Sequence, residues 1–188
     1  MEESPSTSLR FKRLYDEHFD AVQSYCLRRL PVADANDAVS EVFLVAWRKI
    51  EAVPTGEESL PWLFGVARNA VRNSGRSHRR SARLVARIGA VREAPDAGPE
   101  TQVVRRSESQ RVLDALEKLR PADREVLRLR AWEDLSAPQI AAVVGISPAA
   151  AEKRLARAMT RLQAAVVATA SKSPLVDRPH TRKTGGDA

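Results

Sequence analysis

The sequence predicts an all-α protein made of two small helical domains joined by a flexible linker. Apolar residues recur at helical spacing through most of the chain. The clearest run comprises Val39, Phe43, Ala46 and Ile50. Glycine is scarce and β-branched runs are short, which disfavours sheet. A segment rich in Arg, Ala, Gly and Pro separates two helical regions and is typical of a linker.

Five segments follow from this pattern. Residues 1–8 form a polar, disordered leader, 9–80 the first domain, 81–104 the linker and 105–168 the second domain. The tail, 169–188, has too few apolar residues to fold, and we expect it to be disordered.

An acidic helix start occupies residues 34–41 of the first domain. Asp34 is the expected N-cap, since its short side chain can accept a backbone N–H of the first turn. Asp37 and Glu41 are four residues apart and so lie on one face of the helix. Two like charges on one face suit a basic partner, but the spacing alone fits simple solubility equally well.

The next helix of the first domain carries a basic stripe. No acidic residue occurs between Ser59 and Arg92, whereas eight arginines do. Four of them lie along one side of a continuous helix: Arg68, Arg72, Arg76 and Arg80. Like charges at this spacing repel by about 0.2–0.5 kcal/mol per pair, and phosphates would neutralise them. The stripe therefore favours a nucleic-acid partner over a solvated face, although Gly75 weakens the helix and allows a bend there.

Aromatic residues accompany the stripe. Trp62 and Phe64 stand at the start of the same helix, and Trp47 ends the preceding one. Rings beside arginines suit unstacked bases, because stacking contributes about 1–3 kcal/mol per base. In a chain with only 5% aromatic residues, each tryptophan taken singly is better explained as part of the core.

The second domain contains a helix-turn-helix pattern. Ser136 precedes one helix and Ser147 the next, each followed by a proline that a first helical turn tolerates, and Gly145 ends the first of the two. An inward apolar stripe is predicted for the second helix: Leu155, Met159, Leu162 and Val166. Its other sides carry Lys153, Arg154, Arg157 and Arg161. A basic helix of this kind fits the major groove of DNA.

Composition narrows the class of protein. The formal net charge of +7 suits a polyanionic partner. The single cysteine, Cys26, excludes an internal disulfide and is expected to be buried. No apolar run approaches the ~18 residues of a membrane span, and the acidic N-terminus is unlike a signal peptide, so we expect a soluble cytoplasmic protein. Catalytic motifs and metal-ligand spacings are lacking, so we expect no enzyme, cofactor or metal.

Two parts of the chain resemble one family. Residues 113–162 are similar to the C-terminal, region 4 domain of bacterial σ70-type sigma factors, and residues 34–50 with 61–80 resemble their region 2 domain. The lack of a substantial domain between them resembles the extracytoplasmic-function (ECF) subgroup. The resemblance implies a factor without catalysis that binds core RNA polymerase, directs it to a promoter and helps open the DNA. It also allows an anti-sigma factor as a further partner.

The resemblance also implies roles for individual residues. Those facing the coiled coil of the largest polymerase subunit would be Asp37, Ser40 and Glu41. Those recognising and opening the −10 element would be Trp62, Phe64, Asn69 and Asn73, with the loop 51–61, while the stripe of Arg68, Arg72, Arg76 and Arg80 would follow the phosphates. Those facing the −35 element would be Glu152, Lys153, Ala156 and Arg157, with Arg154 and Arg161 nearer the DNA backbone.

The chain departs from the family pattern at three positions. The family often has Gln at Ser40 and a basic residue at Gly65, and many members carry Lys or Arg at Glu152. A glutamate could accept a hydrogen bond from cytosine N4.

One rival function is a free-standing helix-turn-helix regulator that acts without polymerase, and another is an adaptor that binds only proteins. The basic stripe and the acidic helix argue against the regulator, and the net charge of +7 argues against the adaptor.

Overall fold

The computed structural model describes residues 5–88 and 105–170 of the chain. These two ranges contain seven α-helices and no strand, which confirms the all-α prediction. The helices are α1 Pro5–Leu27, α2 Val32–Arg48, α3 Ser59–Ile88, α4 Arg105–Lys118, α5 Pro121–Ala131, α6 Ala137–Val144 and α7 Pro148–Ala170. Two short 3-10 turns, Ile50–Ala52 and Gly56–Glu58, lie in the loop between α2 and α3.

The N-terminal domain is a bundle of α1, α2 and α3, each packed on the other two. The predicted inward face of α2 is confirmed, since Val39, Phe43 and Ala46 are buried and Ile50 follows in the next turn. An aromatic seam joins α1 to α2. Its rings lie 4.6–6.4 Å apart between centroids and belong to Phe11, Tyr15, Phe19, Phe43 and Trp47. Trp47 is therefore part of this packing, as the composition predicts.

The predicted N-cap of α2 is wrong. The helix begins at Val32, with Pro31 as the preceding residue, and Asp34 lies inside the first turn. The Ala35 N–H already donates to the Pro31 carbonyl at 2.9 Å, so the first turn closes before Asp34 could cap it. The Asp34 carboxylate still favours the helix, because it lies near the positive end of the helix dipole.

α3 is longer than the sequence predicts. It continues as one helix through Gly75 to Ile88, eight residues beyond the expected domain boundary at residue 80. The remainder of the expected linker, 89–104, the tail from 171 onward and residues 1–4 of the leader lie outside the described residues. Residues 5–8 of the expected leader belong to α1. The five-segment division therefore stays a prediction.

The C-terminal domain packs α4, α5 and α6 around α7. Its helix-turn-helix is confirmed at every predicted cap. Ser136 forms a capping box with Gln139, Gly145 ends α6 in the left-handed conformation at φ 74°, and the Ser147 hydroxyl accepts the Ala150 N–H at 3.3 Å. Because caps act within one turn of chain, they can be read from the sequence.

The inward face of α7 differs from the prediction. Met159 is 46% exposed, whereas Ala151 and Ala158 are fully buried and Leu155 and Leu162 are half-buried. Because α4, α5 and α6 all pack on this helix, close approach favours methyl groups at the positions that face them. The alanines at the start of α7 therefore include one essential packing residue, Ala151.

The two domains pack against each other through α3 and α6. Their buried apolar residues form one contiguous cluster. At Gly65 the backbones of α3 and α6 lie near each other, since a Cβ atom there would lie 3.9 Å from the Val143 carbonyl oxygen. The domains are thus in contact, although the sequence predicts only a tether between them.

Two glycines on opposite sides of this interface should respond oppositely to alanine. Gly145→Ala should lower the free energy of unfolding by about 1–2 kcal/mol, because its left-handed backbone is unfavourable for a residue with a Cβ. Gly65→Ala should raise it by up to about 1 kcal/mol, because this residue lies in a helix with room for a methyl group. Urea unfolding followed by far-UV circular dichroism measures both; equal effects would contradict the explanation.

Candidate nucleic-acid interface

α7 presents one exposed polar surface. Ala151, Leu155 and Ala158 face inward, which turns the intervening residues to solvent. The exposed residues in its first half are Glu152, Lys153, Ala156 and Arg157. Their exposure leaves them available to a groove of DNA.

A shallow groove of about 360 Å³ runs between α7 and the start of α5. Its cationic lining residues are Arg120, Lys153, Arg154, Arg157 and Arg161, and Asp123 is the acidic one. Arg161 donates to Asp123, a buried carboxylate in the first turn of α5. Arg161 is therefore partly neutralised within the domain, and the other four cations give the groove its positive charge.

The α3 residues expected at the −10 element divide into two groups. Arg72, Asn69 and Asn73 are exposed, and Trp62 and Arg68 are half-buried. Arg76 and Arg80 lie on α3, but their side chains fall outside the described part of the structure.

Phe64 belongs to the core and not to this surface. It is only 1% exposed, and its ring stacks on that of Tyr25 at 5.1 Å between centroids. Tyr25 comes from α1, so the sequence around Phe64 could not reveal this partner. In this arrangement Phe64 offers no face to a base.

Polar contacts from Arg10 and His18 tie the loop between α2 and α3 to α1. Arg10 donates to the Val53 carbonyl at 2.6 Å and to the Glu51 carboxylate at 3.3 Å near the start of the loop. At its end, the Ser59 hydroxyl donates to the Gly56 carbonyl at 2.7 Å and lies 2.7 Å from His18 Nε2. The expected −10 loop is therefore held in place by its neighbouring helix.

The proton on His18 follows from these bonds. Ser59 has one hydroxyl hydrogen, and it is donated to Gly56, so His18 Nε2 must carry the proton that Ser59 accepts. Burial lowers the pKa of His18 below its ordinary value of 6.5, and the Glu17 carboxylate opposes this only in part. The ring is therefore neutral at pH 7, with its hydrogen on Nε2.

The acidic face of α2 is open to solvent. Asp37, Ser40 and Glu41 are all exposed. The Ser40 hydroxyl donates to the Asn36 carbonyl at 3.0 Å, while Glu41 lines a crevice of about 600 Å³ together with Trp62 and Asn69. The structure thus brings the expected polymerase and −10 surfaces side by side, and the C-terminal end of α6 forms the opposite wall of the crevice.

An ion-pair cluster between the domains was not predicted. Arg29, in the turn after α1, lies over the Tyr25 ring at 3.5 Å and donates to Glu133 at 3.0 Å and to Glu125 at 3.3 Å. Tyr25 donates its hydroxyl hydrogen to Glu125 at 2.9 Å, and Arg28 donates to Glu133. Burial, reinforced by Glu125, raises the pKa of Tyr25, so the hydroxyl stays protonated. Partners about 100 residues apart leave no local signal in the sequence.

Comparison with known proteins agrees with this architecture. Residues 14–81 match the model of sigma-70 region 2, and residues 109–162 match that of sigma-70, region 4. The RNA polymerase sigma factor CnrH of Cupriavidus metallidurans is 33% identical over 76% of this chain and 78% of its own length. The ECF RNA polymerase sigma factor SigL of Mycobacterium tuberculosis is 31% identical over 81% of this chain and 86% of its own length. The chain belongs to the ECF subgroup of the sigma-70 family.

Solved structures share the fold of this sigma factor. CnrH in complex with the cytosolic domain of CnrY superposes with a TM-score of 0.56 at 30% identity, over 87% of this chain and 89% of that one. The sigma factor RpoE of Bartonella quintana, in complex with the anti-sigma factor NepR, has a TM-score of 0.59 at 23% identity, over 89% and 98%. The second comparison bears on the fold alone.

Other kinds of site find no support in the part of this sigma factor that the structure describes. No group of His, Cys, Asp and Glu there could hold a metal ion. Cys26 is buried as predicted, and burial raises the pKa of its thiol to about 11, which makes it a poor nucleophile at neutral pH. Within the same residues, no helix is both long and apolar enough to cross a membrane.

The His18 contact should make the stability of this sigma factor depend on pH. Because burial lowers the folded pKa, the stabilisation is present above the unfolded pKa of about 6.5 and is lost as the pH falls from there towards the folded pKa. His18→Gln can still donate to Ser59 but does not titrate, so it should remove this part of the pH dependence. Urea unfolding at pH 7.5 and pH 5.5 measures the effect, and an equal loss in both proteins would contradict it.

Proposed function

We propose that this sigma factor binds core RNA polymerase through α2, reads the −35 element with α7 and recognises and opens the −10 element with the start of α3 and its preceding loop. It would act in the cytoplasm and carry no catalytic activity of its own. The observation that carries the proposal is the division of α7. Small side chains pack inward, and Glu152, Lys153 and Arg157 remain exposed on a capped helix-turn-helix.

The proposed −35 contact follows from the register of α7. The first turn holds Pro148, Ala149 and Ala150, all exposed and small, so the helix can approach the groove closely. Base contacts then fall to Glu152, Lys153 and Arg157, with Ala156 leaving room between them. Arg154, and Arg161 beside Asp123, are suited to the phosphate backbone.

The proposed −10 contact involves fewer residues than the sequence predicts. Asn69, Asn73 and Arg72 are exposed, and Trp62 is half-buried at the rim of the crevice. Phe64 supports this surface from below through its stacking on Tyr25. Arg10 and His18 would hold the loop ready for a base that leaves the helical stack, whose unstacking costs a few kcal/mol.

The proposed polymerase contact is the exposed face of Asp37, Ser40 and Glu41. An anti-sigma factor is a further proposed partner. The proposal is supported by the solved structure of CnrH, 30% identical to this chain, which is a complex with the cytosolic domain of CnrY.

Transcription in vitro tests the proposed function. Purified core polymerase and a library of promoter fragments should give specific initiation only when this chain is added. A DNA shift without initiation would instead indicate a free-standing helix-turn-helix regulator. Neither activity would leave a protein-interaction module.

Glu152→Ala should change base preference at one −35 position, because the carboxylate can accept a hydrogen bond from cytosine N4 and an alanine cannot. A bidentate base contact discriminates by about 1–3 kcal/mol. A single hydrogen bond falls at the low end of that range, so cytosine should lose a roughly fivefold advantage there. Initiation from a panel of single −35 substitutions measures it. Gln163→Ala, exposed farther along α7, is the control, and an unchanged panel for Glu152→Ala would remove Glu152 from the reading surface.

Reversing both charges on α2, in Asp37→Lys with Glu41→Lys, should weaken binding to core polymerase by on the order of tenfold or more, since like charges would then face a basic partner. Fluorescence anisotropy with labelled sigma factor measures the affinity. Asp20→Lys reverses one exposed charge on α1 and should have little effect. Equal weakening by this control would show only a general effect of charge.

A further inference from the structure

A buried relay of hydrogen bonds joins α1 to the turn from which α3 starts. His18 and Ser59 are 7% and 4% exposed, and His18 Nε2 lies 2.7 Å from the Ser59 hydroxyl oxygen. The Ser59 hydroxyl in turn donates to the Gly56 carbonyl at 2.7 Å. The Glu17 carboxylate lies 3.8 Å from His18 Nε2, beyond the length of a hydrogen bond, and so does not compete with Ser59. The relay therefore runs in one direction, from His18 through Ser59 to Gly56.

The turn at the end of this relay is exposed to solvent. Residues 55–58 are all exposed, whereas Val53 before them and Ser59 after them are buried. Gly56 has φ 66°, a left-handed conformation that favours glycine, and its carbonyl also accepts the Ser59 N–H. Side chains of α1 thus hold the exposed segment at its two ends, Arg10 at Val53 and the relay at Ser59.

The two anchors differ in their access to water. The Arg10 side chain is 34% exposed and its carboxylate partner, Glu51, is 79% exposed, so solvent and salt weaken this ion pair. The relay is buried at both His18 and Ser59. A buried polar group that loses its partner is costly, because water does not replace the lost bond. We therefore expect the relay to be the stronger anchor.

The relay also fixes the first turns of α3. Ser59 begins this helix, and Trp62, one turn later, lines the crevice that also contains Asn69. Leu63 and Phe64 are buried in the core, so the start of α3 is held from both sides. The exposed loop and the Trp62 side chain consequently keep a constant position relative to each other.

We propose that His18 is a positioning residue for promoter opening, which acts through Ser59 on the Gly56 turn when a −10 base leaves the helical stack, and not when duplex DNA binds. The inference rests on the proposed function, because it takes this loop and the start of α3 as the surface that receives the base. A loop already held in its receiving conformation need not be ordered at the moment of capture, which lowers the cost of binding. Duplex binding is assigned to α7 and to the α3 cations, and the relay includes no residue of either set.

Three variants separate the hydrogen bond from the side chains that make it. His18→Leu removes the donor and fills a similar volume, whereas His18→Gln keeps an N–H that can reach Ser59. Ser59→Ala removes the hydroxyl through which His18 acts. Because the two residues act through one bond, His18→Leu combined with Ser59→Ala should cost little more than either change alone.

Two controls change the chain outside the relay. Ser8→Ala removes a half-buried hydroxyl from α1 and leaves His18 and Ser59 in place. Val126→Ala leaves a cavity in the C-terminal domain, where Val126 is fully buried, and so lowers stability without touching the loop. Circular dichroism checks that every variant is folded.

The experiment uses the full chain, core polymerase and one promoter fragment from which the unsubstituted chain initiates. The fragment is prepared in two forms, one fully paired and one mismatched over the −10 segment so that its bases are already unpaired. The ratio of the initiation rates on the paired and mismatched forms measures opening. A loss of stability or of polymerase binding lowers both rates and leaves the ratio unchanged.

We expect His18→Leu and Ser59→Ala each to lower this ratio roughly tenfold, the effect of a buried hydrogen bond that loses one partner. His18→Gln should restore most of the ratio, and the double variant should resemble the single ones. Ser8→Ala and Val126→Ala should leave the ratio unchanged.

Hydrogen exchange of the free chain gives a second readout that needs neither polymerase nor DNA. Backbone amides of residues 55–62 should exchange faster in His18→Leu than in His18→Gln, because only the first loses the anchor. Equal exchange in the two variants would show that the relay does not hold the loop.

Two further outcomes would overturn the inference. One is a folded His18→Leu protein with the unsubstituted ratio, and Ser59→Ala supplies the same comparison if His18→Leu does not fold. The other is a His18→Gln protein that loses as much as His18→Leu, which would mean that the donated bond is not what matters. Absence of initiation by the unsubstituted chain on both templates would instead contradict the proposed function, and the inference with it.

Discussion

The packing of the two domains against each other depends on the neutralisation of one buried guanidinium, that of Arg29. Arg29 has 3% of its side chain exposed and lies between the Tyr25 ring and the carboxylates Glu125 and Glu133. A charge in that position is unfavourable without partners, and both carboxylates come from the other domain. Neutralising Arg29 therefore requires α5 and the turn after it to pack against the turn that follows α1. The same packing brings α6 against Gly65 of α3.

Docking of the domains places surfaces of different expected function next to one another. The crevice beside α6 joins Glu41 of the acidic α2 face to Trp62 and Asn69 of α3. A basic groove on the other side joins Arg68 of α3 to Arg154 of α7. In an ECF sigma factor of the sigma-70 family, the contact between the two domains thus places residues of α2, α3 and α7 along one crevice and one groove.

α1 supports α2, the loop before α3 and the buried ring of Phe64, which its sequence alone does not predict. Its aromatic residues pack on α2, its Arg10 and His18 hold the loop before α3, and its Tyr25 supports Phe64. Each contact joins residues far apart in the chain. The helical period of Phe11 and its neighbours could have indicated a buried face, but only packing reveals which loop and which ring this helix supports.

The sequence by itself determined the features that arise within a few residues of chain. The caps at Ser136, Gly145 and Ser147 were predicted correctly, because each satisfies backbone groups of its own turn; the family followed from motifs of the same short range. Tertiary structure decided the rest. The burial of Phe64 and the exposure of Met159 depend on what packs beside them, and the domain contact depends on pairs 96 to 105 residues apart. Such pairs are formed by folding in three dimensions, and no local pattern encodes them.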